Sequence, residues 1–116
     1  MTLKQVDYKT KEENGNKYEA TTYTLGENYM VEKYIRTYDS GATITDIQVG
    51  YKDWRKAREN YLPEIHYLED FFGKTEPRIE IQTTSYGALN PEEIKKVIAG
   101  YQEALEAAEI LTKEFC

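Results

Sequence analysis

Residues 17–49 read KYEATTYTLGENYMVEKYIRTYDSGATITDIQV, in which three runs of alternating side chains are separated by GEN at 26–28 and DSG at 39–41. The runs are rich in tyrosine, threonine, valine and isoleucine, residue types that suit the pleated surface of a strand. Short turns between consecutive strands favour antiparallel pairing. We therefore predict three strands, over about residues 17–25, 29–38 and 42–49.

A further strand is predicted before this segment, over about residues 2–11, where Val6, Tyr8 and Thr10 recur at every second position. The Asn-Gly-Asn sequence at 14–16 then predicts a tight turn, because Asn and Gly both tolerate a positive φ. The first half of the chain is thus expected to form a four-stranded antiparallel meander.

The fourth predicted strand contains one irregularity. Ile44 has the opposite parity to Ile47 and Val49. Because successive strand side chains point to opposite faces, we expect either a bulge near residues 45–46 or burial on both faces of this strand.

From Tyr51 onward the apolar spacing changes from two to three or four, which is typical of a helix. The members of this stripe are Trp54, Ala57, Tyr61, Ile65, Leu68 and Phe72. Pro63 removes one backbone donor and disfavours helical angles in the residue before it. We therefore predict a helix over about residues 51–72 that is kinked at Pro63, or two helices that meet at 61–63.

A fifth strand is predicted over about residues 77–86, followed by a long helix over about residues 91–115. Asn90 is a favourable N-cap, Pro91 suits the first helical position, and Glu93 lies where a capping box needs an acidic residue. The apolar side of this helix is predicted to comprise Ile94, Val97, Ile98, Tyr101, Leu105, Ala108, Leu111 and Phe115.

Gly100 interrupts this last helix. Glycine in a helix interior is less favourable than alanine by about 1 kcal/mol. We expect simple packing against the sheet to offset that cost, and close approach of a strand or of a partner's backbone is the alternative.

The element order ββββ-α-β-α predicts an α+β fold with the helices packed on one face of the antiparallel sheet. The chain has 116 residues and a mass of 13.6 kDa, which fits a single domain over residues 1–116.

The composition narrows the class of function. The net charge of -6 disfavours binding to nucleic acid or to anionic membranes. No apolar run approaches the length that spans a bilayer, and the residues after Met1 do not resemble a secretion signal. Cys116 is the single cysteine, which favours a reducing compartment. We therefore expect a cytoplasmic protein.

Residues that could carry chemistry all have simpler explanations. His66 is the only histidine, and its place beside the apolar stripe indicates a boundary or surface residue. Three pairs of adjacent carboxylates have structural explanations. The pair at 12–13 fits a turn, the pair at 69–70 a solvated helix face, and the pair at 92–93 a helix cap. The hydroxyl run at 83–86 fits a strand end and a turn, and no glycine-rich phosphate loop is present. We therefore expect a protein that is not an enzyme and binds no metal or cofactor.

Eleven tyrosines are the most unusual feature of the sequence. Strand parity places Tyr18 and Tyr23 on opposite faces of the predicted sheet, and likewise Tyr29 and Tyr34, so some of the rings must stand on the open face. Tyrosine is enriched in interaction surfaces. It is also a good strand former, and the sequence leaves the two readings open.

The sequences TTSYGALNPEEI at 83–94 and YQEAL at 101–105 resemble the ending of small orphan proteins of bacterial phages and integrated elements. The resemblance covers about a third of the chain. In size, acidity and lack of a catalytic motif the chain also resembles anti-defence proteins, including anti-CRISPR inhibitors, which often occupy a cationic nucleic-acid groove on a nuclease. The resemblance implies a phage protein that acts in the host cytoplasm.

The leading interpretation is an acidic, non-enzymatic binding protein that inhibits a host nuclease or defence complex. Its carboxylates would stand in for phosphates, and its exposed tyrosines would anchor the contact with a basic protein surface. The candidate contact residues are Glu19, Glu32, Tyr34, Tyr38, Glu69, Asp70, Glu103, Glu106 and Glu109.

Three alternatives stay open. The first is an immunity protein that blocks a toxin. The second is a small enzyme, or a sponge for a small molecule or nucleotide, with a tyrosine-lined pocket at a homodimer interface. The third is a structural part of a virion or another large assembly.

Overall fold

A computed structural model describes residues 1–69, 75–81 and 87–116 of the chain. The fold is α+β, as predicted. Its elements in chain order are β1 (Leu3–Glu13), β2 (Asn16–Leu25), β3 (Tyr29–Thr37), β4 (Thr43–Tyr51), α1 (Trp54–Glu59), β5 (Ile65–Glu69), β6 (Thr75–Ile79) and α2 (Pro91–Phe115).

The first four strands form an antiparallel sheet in the order β1-β2-β3-β4, which confirms the predicted meander. The turn between β1 and β2 is as tight as its sequence predicts, because Asn14 and Gly15 both have a positive φ, 54° and 81°. Strand β1 continues to Glu13, so the acidic pair at 12–13 lies in a strand and not in a turn as expected.

The expected bulge near residues 45–46 is absent from β4. The pairing of β3 with β4 is unbroken, with Thr45 opposite Ile35 and Asp46 opposite Tyr34. Burial on both faces is not observed either. Ile44 lies on the face opposite to Ile47 and Val49, and 55% of the residue is exposed. The register shift occurs instead in β1, between Gln5 and Asp7.

The two faces of the sheet differ in what covers them. On the inner face, Leu25, Tyr29 and Val31 are fully buried and pack with Tyr23 against α2 and β5. The opposite face, which we call the open face, presents two rows of side chains across the strands. One row is Lys9, Ala20, Tyr34 and Asp46, and the other is Lys11, Tyr18, Arg36 and Ile44. The predicted division of the tyrosines between the faces is therefore confirmed.

The predicted helix over 51–72 is wrong in its length. Helical structure begins at Trp54 with a cap from the Asp53 side chain and ends at Glu59. The Tyr61 N–H then donates to the Arg58 carbonyl and the Leu62 N–H to the Ala57 carbonyl, which is the pattern of a Schellman motif. The chain therefore leaves the helix before Pro63 is reached.

After Pro63 the chain becomes a strand. Strand β5 pairs with β6 in a second, two-stranded antiparallel sheet. Ile65 and Tyr67 have the two-residue spacing of a strand, whereas Ile65 and Leu68 have the three-residue spacing of a helix, and pairing with β6 decides between the two. Of the strand predicted over 77–86, β6 contains only residues 77–79, and residues 82–86, which include the hydroxyl run, lie outside the described part of the chain.

Helix α2 begins as predicted. The Asn90 side chain accepts a hydrogen bond from the Glu93 N–H at 2.8 Å, and the Glu93 carboxylate accepts one from the Asn90 N–H at 3.2 Å. Pro91 occupies the first turn. The capping box and proline satisfy or remove donors that the helix start would otherwise leave unpaired.

The buried side of α2 differs from the predicted one. Its fully or nearly fully buried residues are Gly100, Ala104, Ala107, Ala108 and Leu111. The predicted core residues Ile94, Ile98 and Leu105 are exposed instead. The small residues bring the helix close to its neighbours, and large side chains on that side would hold it away. Neither described helix has the length and apolar character needed to cross a membrane.

Candidate binding surface

A shallow concavity of about 450 Å³ lies across the open face. All four strands of the first sheet contribute to it, since both rows of the open face line it. Ala20 lies beside the larger Tyr18 and Tyr34 in these rows, so its single methyl group leaves space between the two rings. The concavity is therefore a direct result of strand alternation and register, and we call it the groove.

One end of the groove is built around Arg36. Its guanidinium carbon lies 5.0 Å from the ring centroids of both Tyr18 and Tyr38. Its Nη2 atom donates a hydrogen bond to the Tyr18 hydroxyl at 2.9 Å, and Nη1 donates to the Tyr38 hydroxyl at 3.4 Å. The hydrogen bond from Arg36 is the main cause that lowers the pKa of Tyr18. Two aromatic rings thus hold the cation in one orientation.

The other end of the groove is acidic and aromatic. The Tyr34 hydroxyl donates a hydrogen bond to the Glu32 carboxylate, and Asp46 lies directly opposite Tyr34 on β4. The pKa of Tyr34 is raised, chiefly by this hydrogen bond, then by desolvation and by the charges of Glu32 and Asp46. The Tyr34 ring therefore stands between two carboxylates, with 38% of the residue exposed.

The remaining charges of this face are largely paired along β1. Lys11 lies 2.9 Å from Glu13, and Lys9 lies 3.8 Å from Asp7. Arg36, by contrast, has no carboxylate at ion-pair distance among the residues that the structure describes. The groove consequently has a cationic end at Arg36 and an anionic end at Glu32 and Asp46.

The structure places four of the nine residues that the sequence suggested as contacts in or beside the groove. Glu32 and Tyr34 lie on the open face, and Tyr38 lies just beyond β3 against Arg36. Glu19 also lines the groove. Its strand position belongs to the opposite face, and its carboxylate accepts a hydrogen bond from the Tyr8 hydroxyl at 2.7 Å.

The remaining candidates do not join this surface. Glu103 accepts a hydrogen bond from the Asn28 side chain at 2.8 Å, and Glu106 lies 3.1 Å from the amino group of Met1. These two carboxylates tie α2 to the β2–β3 turn and to the N-terminus. Glu109 is exposed on α2. Glu69 ends β5, and Asp70 lies outside the described residues.

Sequence reasoning missed Tyr18, Arg36, Ile44 and Asp46 as members of one surface. Their parity within each strand is readable from the sequence. Their side-by-side placement needs the register of two strand pairs, which places Tyr18 opposite Arg36 and Arg36 opposite Ile44. The length of a turn fixes the register of a strand pair only when the bounds of both strands are known.

A second cluster of polar side chains lies on the two-stranded sheet. His66 is exposed, as expected for a surface histidine. Its Nε2 atom lies 3.4 Å from Glu64 Oε2 and 3.9 Å from Glu80 Oε2. Glu80 reaches the histidine through the pairing of β5 with β6, which the predicted helix over 51–72 did not allow.

The groove combines aromatic rings, an exposed isoleucine and charges of both signs. This lining is chemically suited to a surface that is partly apolar and partly charged. Comparison of the chain with protein-family models, with curated proteins and with solved structures finds no match. The groove is therefore interpreted from the chemistry of its own residues.

Proposed function

We propose that this protein is a non-enzymatic binding protein whose open face contacts a protein partner that carries a basic surface. The observation that carries the proposal is the groove, where Tyr34 and Ile44 stand in solvent beside a concavity of about 450 Å³. Helix α2 and strand β5 pack against the opposite face of the sheet. Exposed apolar side chains beside such a concavity are typical of interaction sites.

The anionic end of the groove suits a lysine or arginine of the partner. A cation laid over the Tyr34 ring would gain a cation–π contact, and it would lie close to the carboxylates of Glu32 and Asp46. The net charge of -6 adds a long-range attraction for a basic protein.

The groove also supports apolar contact. Tyr18, Ala20 and Ile44 line it together, and rigid aromatic side chains give large contact area at low entropic cost. Arg36 is already held by two rings before any partner binds, so little further ordering of this side chain is needed.

For the class of partner, the proposal uses the sequence of residues 83–94 and 101–105, which resembles phage and mobile-element proteins. We propose an inhibitor of a host nuclease or defence complex that acts in the host cytoplasm. The basic nucleic-acid groove of such a partner is the surface that the anionic end would meet. A toxin with a basic active-site surface has the same chemistry, which leaves an immunity protein as the related proposal.

The test is capture of partners from host-cell extract, with matched tyrosine variants as bait. Tyr34→Ala removes the exposed ring of the groove. Tyr8→Ala removes a similarly exposed ring from the opposite face, where the hydroxyl also bonds a glutamate. We expect a basic protein to be recovered with the wild type and with Tyr8→Ala, and to be depleted at least about tenfold with Tyr34→Ala.

The purified pair then provides the decisive measurement. Affinity should fall between about 0.1 M and about 0.5 M NaCl, because exposed charges are screened. Salt-insensitive binding, or recovery that does not depend on Tyr34, would overturn the proposal. A small molecule that co-purifies with the wild type and is lost in Tyr34→Ala, detected by native mass spectrometry, would favour the sponge instead, since the groove volume suits a small ligand.

A further inference from the structure

The two-stranded sheet carries an unfavourable pair of like charges. The Glu80 N–H donates to the Glu64 carbonyl at 2.9 Å, which extends the β5–β6 ladder by one pair beyond Ile65 and Ile79. Glu64 and Glu80 therefore lie opposite each other on the exposed face. Like charges in directly opposite positions destabilise a sheet. A cation bound between the two carboxylates would remove this repulsion.

His66 supplies a third ligand atom to the same place. It lies two residues after Glu64 and so projects from the same face of β5. The Nε2 atom of His66 and a carboxylate oxygen from each of Glu64 and Glu80 all lie within 4.8 Å of one another. Around a tetrahedral Zn²⁺ with bonds of about 2.0–2.1 Å, ligand atoms stand about 3.3 Å apart. Small rotations of these exposed side chains would bring the ligand atoms to that spacing.

The backbone beneath the cluster is anchored from the core. The buried Tyr29 hydroxyl donates to the Pro63 carbonyl at 2.8 Å, and the Tyr51 hydroxyl donates to the Leu62 carbonyl at 2.7 Å. These bonds hold the segment that immediately precedes Glu64. Two of the three ligand residues thus project from a strand whose entry is fixed by fully or partly buried hydrogen bonds, which limits the motion that binding would have to restrict.

The nearest arginine in the ladder does not neutralise the two carboxylates. Arg78 lies opposite His66, and its guanidinium pairs with Glu76 at 2.6 Å. Beside the cluster, Glu64 and His66 line a concavity of about 160 Å³ together with Gly50 and Tyr51. A bound ion would therefore have room for water as a further ligand.

We propose that Glu64, His66 and Glu80 form a site for Zn²⁺. One imidazole nitrogen and two carboxylate oxygens suit a borderline-soft ion, whereas Mg²⁺ and Ca²⁺ prefer oxygen ligands only. Three protein ligands leave a fourth position for water. This site is separate from the groove and does not depend on the function proposed for it.

The test is a titration of the purified 116-residue chain with ZnCl₂ in competition with a chromogenic chelator. We expect saturable binding at about one equivalent, because the cluster offers one position. His66→Ala, Glu64→Gln and Glu80→Gln should each weaken the affinity at least about tenfold. Glu12→Gln removes one negative charge from the β1–β2 hairpin and is the matched control, which should bind Zn²⁺ like the wild type.

A second measurement identifies the ligand directly. The imidazole signals of His66, the only histidine, should shift on addition of one equivalent of Zn²⁺ in a ¹H–¹⁵N NMR spectrum, and equimolar MgCl₂ should leave them in place. Circular dichroism checks that each variant is folded. Binding that does not saturate, that survives His66→Ala, or that Mg²⁺ displaces equally well would overturn the proposal.

Discussion

The Cα atom of Gly100 lies against the backbone carbonyl of Tyr61, so closely that a Cβ atom on residue 100 would stand 2.9 Å from that oxygen. Backbone atoms cannot yield as a flexible side chain does. The glycine in α2 therefore permits the close approach of the segment that ends α1. The sequence predicted packing against the sheet or the approach of a strand or partner backbone, and the structure instead places the backbone of residues 60–61, at the end of α1, against Gly100.

The first prediction concerns this contact. Gly100→Ala should destabilise the protein by about 1–3 kcal/mol, because overlap with the Tyr61 carbonyl outweighs the gain in helix propensity of about 1 kcal/mol. Urea denaturation measures the change in the free energy of unfolding. Gln102→Ala, at an exposed position of the same helix, is the control and should change it by less than about 0.5 kcal/mol. A more stable Gly100→Ala protein would contradict the contact.

The second prediction concerns the rotation of α2 about its axis. Leu111 is fully buried, whereas Leu105 is 53% exposed. Leu111→Ala should destabilise the protein by about 2–5 kcal/mol through lost burial and the cavity that remains. Leu105→Ala should change stability by less than about 0.5 kcal/mol. Thermal or urea unfolding compares the two, and equal losses would indicate the helix orientation expected from the sequence.

The third prediction concerns the link between α1 and the start of α2. The Tyr61 hydroxyl donates a hydrogen bond to Glu93 Oε2 at 2.7 Å, and this bond is the main cause that lowers the pKa of Glu93, followed by the bond from the Asn90 backbone. Tyr61→Phe should raise the pKa of Glu93 toward its ordinary range. An NMR titration of the Glu93 side-chain carboxyl carbon measures this, with Tyr8→Phe as the distant control.

The same bond predicts how stability responds to pH. Because the folded-state pKa of Glu93 is depressed, its contribution to stability is present above the unfolded pKa and is lost as the pH falls through the folded pKa. The difference in stability between wild type and Tyr61→Phe should therefore be largest near neutral pH and shrink in acid. A difference that grows as the pH falls would rule out this linkage.

The fourth prediction concerns the buried hydroxyl of Tyr29. Burial is the main cause that raises the pKa of Tyr29, so the hydroxyl stays neutral and donates to the Pro63 carbonyl. Tyr29→Phe should cost about 1–3 kcal/mol of stability, since it leaves a carbonyl oxygen without its partner inside the protein. Tyr8→Phe, which breaks an exposed hydrogen bond, should cost less. Equal losses in chemical denaturation would argue against the anchoring role of Tyr29.

The sequence by itself determined the features that depend on neighbouring residues. The alternation of side chains determined where the first four strands lie. It also determined the division of the tyrosines between the two faces of the sheet, namely Tyr18 and Tyr34 on one face and Tyr23 and Tyr29 on the other. The tolerance of Asn14 and Gly15 for positive φ set the first hairpin turn. Asn90, Pro91 and Glu93 set the start of α2, because a cap satisfies donors only a few residues away.

The tertiary structure alone decided the features that depend on distant partners. Residues 65–69 became a strand because β6 pairs with them, although their apolar spacing also suits a helix. The buried side of α2 follows its small residues because Gly100 must meet the Tyr61 carbonyl. The groove and the Glu64–His66–Glu80 cluster exist only after strand pairing brings separate segments side by side. Local turn signals predict that consecutive strands of the meander pair, but they fix neither the exact register nor the pairing of β5 with β6, because those energies arise from contacts between residues far apart in the chain.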